Sequence, residues 1–159
     1  MCIHTDGTER PIPSRSKLIS DNGISRVWLD IANGYIFKRS IPFLIENEFY
    51  FLQSMWSRGF APSSVRWDKY TIQMTYLGES DPVTDKPKFR HNCKKLLEAL
   101  KDAGIRHGDL TEYAIIVKNN HPYVIDFAES RFWDDPRPDK RLEGDKHWLW
   151  KSVEQICQE

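Results

Sequence analysis

Two aspartates stand at either end of a predicted strand pair in the second half of the chain. Asp109 follows His107 and Gly108, and Asp126 follows the run Tyr-Val-Ile. Two short runs of largely β-branched residues lie between the aspartates, separated by a predicted turn at Asn119, Asn120 and Pro122. A hairpin brings its two ends together, so we expect the carboxylates to lie near each other. Such a pair can serve phosphoryl transfer, in which one carboxylate orients the acceptor hydroxyl and the other holds magnesium.

The first half of the chain predicts an antiparallel sheet that carries one helix. Asn33 and Gly34 form a strong hairpin signal between two β-type runs within residues 27–37. The stretch that begins near Pro42 and stops near Gly59 spaces its apolar residues as an amphipathic helix does. Two alternating runs and an edge strand complete a predicted five-stranded sheet, and they are Ser64–Trp67, Tyr70–Tyr76 and Lys17–Ile19.

The second half predicts helices on both sides of the strand pair. Lys88–Ala103 has one apolar face and is followed by Gly104, a common C-terminal stop. Lys146–Ile156 predicts a closing helix. The order of elements therefore predicts an α+β protein with a sheet-rich lobe, a short connection near Leu77–Ser80 and a helical lobe.

Length and composition narrow the class of protein. The chain has 159 residues with 40% hydrophobic residues, which suits one compact domain. Its 23 basic and 23 acidic residues give a net charge of 0, so nucleic acid is not an expected partner. The three cysteines lie far apart, which favours a reducing compartment, and we expect a cytoplasmic protein. No apolar run has the length of a membrane span, so no membrane partner is expected.

The motif around the aspartates resembles those of the protein-kinase-like superfamily. His-Gly-Asp-Leu at 107–110, the paired strands and Ile-Asp-Phe at 125–127 are similar to the catalytic and metal-binding loops of that superfamily. The spelling His-Gly-Asp is typical of its atypical branches, which include RIO-type kinases, the small kinase of the tRNA threonylcarbamoylation complex and aminoglycoside phosphotransferases. The resemblance runs from about Lys17 to Val153. It implies a truncated two-lobe kinase-like fold, with a five-stranded N-lobe that carries one helix and a reduced helical C-lobe.

The same resemblance implies a nucleotide site for ATP with Mg²⁺ or Mn²⁺. Lys38 ends a strand as the phosphate-binding lysine of these kinases does, and Glu48, with Glu46 as the alternative, is its expected ion-pair partner. Asp109 is the expected catalytic aspartate and Asp126 the expected metal ligand. The candidates for contacts with the nucleotide are Ser20, Asn22, Gly23 and Ser25 in the phosphate loop, and Thr75 and Leu77 at the adenine edge.

Two further motif positions have structural roles in this interpretation. Asp145 resembles the aspartate that supports the catalytic loop from below. His107 is expected to be a packed, hydrogen-bonded histidine, because Asp109 is better placed for the acceptor hydroxyl.

Three features depart from the superfamily pattern. Ala114 stands where a metal-binding asparagine is expected, so Asp126 alone, Asp109 or Glu112 would have to complete the metal site. Ser20, Asn22 and Ser25 stand where the phosphate loop of the superfamily has glycines, and only Gly23 lies nearby. The chain is also short, with residues 1–16 expected as an N-terminal extension, 17–78 as the N-lobe and 79–159 as the C-lobe.

These observations predict a minimal ATP-dependent kinase that phosphorylates a Ser or Thr hydroxyl of a protein. Two alternatives stay open: a pseudokinase that serves as a nucleotide- or partner-binding module, and a small-molecule kinase. A protein substrate or partner is expected in the first two cases. The compact length suits a kinase that acts inside a host cell, and the sequence leaves the oligomeric state open.

Overall fold

A computed structural model describes residues 9–137 and 144–158. Half of the predicted N-terminal extension, residues 1–8, lies outside these ranges, as do residues 138–143 before the closing helix.

A five-stranded antiparallel sheet forms the first half of the protein. Its strands are β1 Lys17–Asp21, β2 Arg26–Asp30, β3 Tyr35–Arg39, β4 Ser64–Asp68 and β5 Thr71–Thr75, arranged in the order β1-β2-β3-β5-β4. Strand β3 is therefore central, and Lys38 at its end pairs with Val27 on one side and Ile72 on the other. Pairing on both sides fixes the backbone from which the Lys38 side chain projects.

One helix, α1 Pro42–Trp56, packs on the sheet. Pro42 suits the first turn because the N–H that it lacks would have no partner inside the helix. The buried positions recur at helical spacing and are Ile45, Glu48, Phe51, Leu52 and Met55. Glu48 is the one charged residue in this stripe, which requires a charged partner in the sheet.

The second half is built from two long helices and short strand pairs. Helix α2 Lys86–Asp102 begins at the Asp85 carboxylate, which accepts a 3.0 Å hydrogen bond from the Lys88 N–H. Strands β6 Ile105–Arg106, β7 Ile115–Lys118, β8 His121–Val124 and β9 Arg131–Phe132 follow, with β6 paired to β9 and β7 to β8. Helix α3 Gly144–Gln158 closes the structure and packs against α2.

The predicted fold class is confirmed: a five-stranded antiparallel sheet with one helix is joined to a reduced helical half. Three details differ from the sequence-based predictions. The loop at Asn33 and Gly34 spans four residues, 31–34, because Gly34 donates to the Asp30 carbonyl. Pro122 lies within β8, which tolerates it because β8 pairs on one side only. Strands β6 and β9 were not predicted, since two residues are too few to show a period.

Within residues 9–137 and 144–158, no helix has the length and apolar character needed to cross a membrane.

Candidate active site

The centre of the site is an ion pair between the sheet and α1. Lys38 Nζ lies 2.8 Å from Glu48 Oε1 and 3.5 Å from Asp126 Oδ1. The Glu48 side chain is 3% exposed, whereas that of Asp126 is 51% exposed. Glu46, the alternative partner, lies on the exposed side of the helix. The ammonium is thus fixed by a buried carboxylate on one side and faces an accessible carboxylate on the other.

Burial and charge act in opposite directions on this pair. Burial disfavours the charged form of Lys38, but the carboxylates of Glu48 and Asp126 outweigh it and raise the lysine pKa. Burial raises the pKa of Glu48, while the Lys38 ammonium and the Phe127 N–H oppose that shift. The charge of Lys38 is therefore secure at neutral pH, as a ligand of phosphate oxygens requires.

The loop that carries Asp109 is held by buried hydrogen bonds. His107 is fully buried, its Nδ1 accepts from the Asp109 N–H at 3.1 Å, and its Nε2 lies 3.0 Å from the Ile125 carbonyl. These partners define a neutral imidazole that donates from Nε2, and burial lowers the His107 pKa in agreement. The predicted structural role of His107 is confirmed.

Asp145, the first acidic residue of α3, supports the same loop from below. Its two carboxylate oxygens accept from the N–H groups of His107, at 2.7 Å, and Gly108, at 3.0 Å. The predicted supporting role of Asp145 is confirmed. The backbone that leads into Asp109 is thereby tied to the closing helix.

Gly108 is required by two independent features of the loop. Its φ is +83°, a region that favours glycine. A Cβ at this position would lie 2.7 Å from the carbonyl oxygen of Glu129, closer than real Cβ contacts allow. The loop that carries Asp109 and the segment after Asp126 can therefore approach each other this closely only because residue 108 has no side chain.

Asp126 occupies an unusual backbone position. Its φ is +61°, which costs a residue other than glycine about 1 kcal/mol or more. Phe127, the next residue, is buried and stacks edge-on against His107 with ring centroids 4.9 Å apart. The buried ring anchors the turn that directs Asp126 toward Lys38.

A cleft of about 380 Å³ between the sheet and the loops collects most of the predicted site residues. The predicted residues that line it are Ser20, Asn22, Ser25, Lys38, Glu48, Asp109 and Asp126. Met74 and Ile125 add apolar surface, as a pocket for a planar base needs. Gly23, Thr75 and Leu77 are not among the described residues that line the cleft.

Two backbone N–H groups at the predicted adenine edge already donate hydrogen bonds within the protein. The Thr75 N–H donates to the Ser63 carbonyl at 2.9 Å, and the Tyr76 N–H donates to the Gly34 carbonyl at 2.8 Å. These two N–H groups are therefore occupied by backbone hydrogen bonds at the edge of the sheet. Of the two residues predicted at the adenine edge, Thr75 and Leu77, the candidate N–H donor to the adenine is therefore Leu77.

The turn that replaces the glycine-rich loop also uses its own amides. The Gly23 N–H donates to Asp21 Oδ1 at 2.9 Å. The Ile24 and Ser25 N–H groups donate to Asn22 Oδ1 at 2.9 and 2.7 Å. A phosphate that bound these three amides would have to displace two side chains, which makes the turn a weaker phosphate cradle than a glycine loop.

Sequence reasoning missed one charged residue of the cleft. Glu129 lines it, three residues after Asp126, and its position becomes visible only through the Gly108 contact. Glu112, considered as a substitute metal ligand, instead lines a separate groove together with Tyr113. Ala114 is buried and brings no donor atom to the metal site.

The donor set fits a metal that shares its ligands with a nucleotide. Among the described residues, no group of three or more His, Cys, Asp or Glu side chains is arranged to hold a metal ion. Magnesium is commonly held by one or two carboxylates, substrate phosphates and water. Asp126 supplies such a carboxylate, and Asp109 lines the same cleft.

This fold and this arrangement of lysine, glutamate and two aspartates define a protein of the protein-kinase-like class. The sequence model of the RIO domain matches residues 32–157, most of the chain. The chain belongs to the RIO domain family.

Solved structures of Rio2 kinase from Chaetomium thermophilum share the fold. One, a complex described as Rio2 kinase with ADP/Mg²⁺ and phosphoaspartate, superposes with a TM-score of 0.61 at 17% identity over 91% of this chain. A second Rio2 structure gives a TM-score of 0.58 at 17% identity over 83% of this chain. The matches cover 53% and 51% of the Rio2 chains, so this chain spans about half of their length. No curated protein sequence matches the chain.

Proposed function

We propose that this protein is an ATP-dependent phosphotransferase that transfers the γ-phosphate to a Ser or Thr hydroxyl of a protein. The observation that carries the proposal is the cleft lined by Lys38, Asp109 and Asp126. Lys38 Nζ is fixed 2.8 Å from buried Glu48 and lies 3.5 Å from Asp126. A fixed cation and two carboxylates in one cleft are what phosphoryl transfer needs, since positioning and electrostatics supply most of its catalysis.

Each residue has a role that follows from its surroundings. Lys38 binds phosphate oxygens, and Glu48 keeps the ammonium in place. Asp109, held through His107 and Asp145, orients the acceptor hydroxyl and accepts its proton. Asp126, half exposed and opposite Lys38, holds Mg²⁺. The metal, when bound with ATP, neutralises charge on the phosphates.

The acceptor is proposed to be a protein rather than a small molecule. Small-molecule kinases of this superfamily usually carry a helical insertion that binds the acceptor. The described part of the second half has α2 and α3 as its long helices and no inserted helical region. An open cleft without such a cover suits a hydroxyl presented on a polypeptide.

A second candidate, a pseudokinase that binds a partner, is favoured by two specific observations. Ala114 removes a metal ligand, and the amides of Gly23, Ile24 and Ser25 are bonded within their own turn. Both features weaken nucleotide binding. The intact set of Lys38, Asp109 and Asp126 favours the enzyme, because a module without chemistry has no physical need for these charges in one cleft.

Calorimetry and ATP turnover together distinguish the two candidates. The wild-type protein should bind ATP more tightly with Mg²⁺ than without it, and Asp126→Ala should lose that difference. Asp109→Ala should bind ATP as the wild type does and lose turnover. Turnover that is equal in Asp109→Ala and wild type would contradict the role of Asp109, and ATP binding that ignores Mg²⁺, without turnover, would establish the pseudokinase.

The Rio2 complex adds a control for the phosphorylated product. Its description names a phosphoaspartate. Label on this chain that is released by hydroxylamine would be an acyl phosphate, whereas label on a substrate that resists hydroxylamine would be the proposed phosphoester.

A further inference from the structure

A groove separate from the nucleotide cleft lies beside the turn that follows Asp109. It has a volume of about 500 Å³ and is lined by Ser80, Asp81, Pro82, Glu112, Tyr113, Ile115, Ile116 and Ile156. None of these residues lines the nucleotide cleft.

One wall of the groove is the segment that joins the two halves. The Asp81 N–H donates to the Val117 carbonyl at 2.8 Å, and the Val117 N–H donates to Ser80 Oγ at 2.7 Å. These two bonds fasten the segment along β7, on the side that β8 leaves open. The wall is thus a fixed part of the fold.

Another part of the lining follows Asp109 closely along the chain. The Asp109 carbonyl accepts from the Thr111 N–H at 2.8 Å, the Thr111 carbonyl accepts from the Ala114 N–H at 3.0 Å, and the short 3-10 turn Glu112–Ala114 lies here. Glu112 and Tyr113 are therefore three and four positions beyond Asp109 on these successive hydrogen-bonded turns. The turns tie this part of the groove to the residue proposed to orient the acceptor hydroxyl.

The lining combines exposed apolar surface with negative charge. Tyr113 is 81% exposed, the most exposed of the large hydrophobic side chains in the described residues. Two carboxylates, Asp81 and Glu112, belong to the groove. Lys118 Nζ lies 3.5 Å from Asp81 Oδ1 and offsets that charge, whereas no hydrogen bond or ion pair joins Glu112 to another described residue. The uncompensated charge is that of Glu112.

We propose that this groove binds the segment of a protein substrate that flanks the phosphorylated hydroxyl, and that Glu112 and Tyr113 select a segment with a Lys or Arg near the acceptor. The inference rests on the proposed function and names its substrate class. The guanidinium or ammonium pairs with Glu112, and its aliphatic stem packs on the Tyr113 ring. A polyanion such as RNA is disfavoured by the same carboxylates.

The test uses labelled peptides with a central serine and either flanking Arg or flanking Ala residues. Fluorescence anisotropy without ATP measures binding alone, and γ-labelled ATP measures the KM for each peptide. The wild type should prefer the Arg peptide. Glu112→Gln should lower the affinity for the Arg peptide about threefold to fivefold, because it removes one exposed ion pair. The affinity for the Ala peptide should not change. Tyr113→Ala should lower the affinity for both peptides by about fivefold, whereas Tyr113→Phe should preserve their binding.

Glu98→Gln, on the exposed face of α2, removes the same charge elsewhere and should change nothing. Equal binding of the two peptides by the wild type, or equal effects of Glu112→Gln and Glu98→Gln, would overturn the inference. If binding depends on Glu112 but no peptide is phosphorylated under any condition, the groove stands and the proposed function fails. Preference for an acidic peptide or for a short RNA would overturn the groove assignment.

Discussion

Lys38 Nζ lies 3.5 Å from Asp126 Oδ1, and this contact joins the centre of the sheet to the loop that follows β8. The same ammonium is 2.8 Å from Glu48 on α1. One cation thus ties together three elements that come from distant parts of the chain. The contact is also the place where the nucleotide phosphates and their metal are proposed to lie.

Removal of the Lys38 charge should destabilise the fold, because Glu48 would be left buried without a partner. We expect Lys38→Met to cost about 3 kcal/mol of unfolding free energy in urea denaturation at pH 7. The loss should be smaller at pH 5, since burial already raises the pKa of Glu48 and its protonation relieves the penalty.

The matched double variant Lys38→Met with Glu48→Leu replaces both charges by apolar groups and should recover most of the lost stability. Additive losses in the double variant would show that the pair is not energetically coupled.

The close approach at Gly108 can be separated from its backbone conformation. Gly108→Ala should lower the free energy of unfolding by more than about 2 kcal/mol. The new Cβ would lie 2.7 Å from the Glu129 carbonyl oxygen, and the φ of +83° is unfavourable for alanine. Gly59→Ala is the control: its φ is +84°, yet nothing lies within 4 Å of its Cβ, so its cost should be about 1 kcal/mol. Equal costs in thermal or urea unfolding would mean that the loop yields to the clash.

Asp145 should act on the reaction through the position of Asp109. Asp145→Asn keeps one acceptor but sets an amide group against a backbone N–H, so the loop shifts. We expect kcat to fall by about tenfold or more with little change in the KM for ATP. Asp102→Asn, at the exposed end of α2, is the control. A change in KM alone would place the effect on nucleotide binding instead.

Acid should unfold the protein partly through Asp68. Burial raises the pKa of this carboxyl, but hydrogen bonds from the Arg10 N–H at 2.6 Å and the Tyr70 N–H at 2.7 Å, together with Arg39, outweigh burial and lower it. The folded pKa then lies below the unfolded value of about 3.9. The stabilisation is complete above that value and is lost as the pH falls through the folded pKa.

Asp68→Asn should therefore lower stability at pH 7 and flatten the decline of stability as the pH falls below about 4. The measurement is the urea midpoint across that range. An unchanged pH profile would remove Asp68 from the acid transition.

Local patterns predicted the elements, and the motif predicted the core of the site. The alternation of β-type residues and the spacing in α1 and α2 located the long elements, because each signal repeats over many residues. The pairing of Lys38 with Glu48 rather than Glu46 depends on which side of α1 faces the sheet. The packing of the folded protein decides this, and it leaves Glu46 exposed.

The rest of the site depends on contacts between distant segments. Glu129 lines the cleft, and its backbone can lie next to residue 108 because Gly108 has no side chain. This contact joins two separate segments, so no single stretch of sequence predicts it. The occupied amides of Thr75 and Tyr76 likewise result from partners at Ser63 and Gly34. Hydrogen bonds of this kind are set by the sheet register and by how loops meet its edge.

Phosphate transfer from γ-labelled ATP with Mg²⁺ or Mn²⁺, measured with the purified protein alone and with a cell lysate, tests the phosphotransferase assignment of the cleft most directly. Wild-type protein should label a protein on Ser or Thr, and Lys38→Ala and Asp126→Ala should each abolish the label. Label that persists in both variants, or no label from the wild type under any of these conditions, would contradict the assignment of this cleft as a phosphotransferase site.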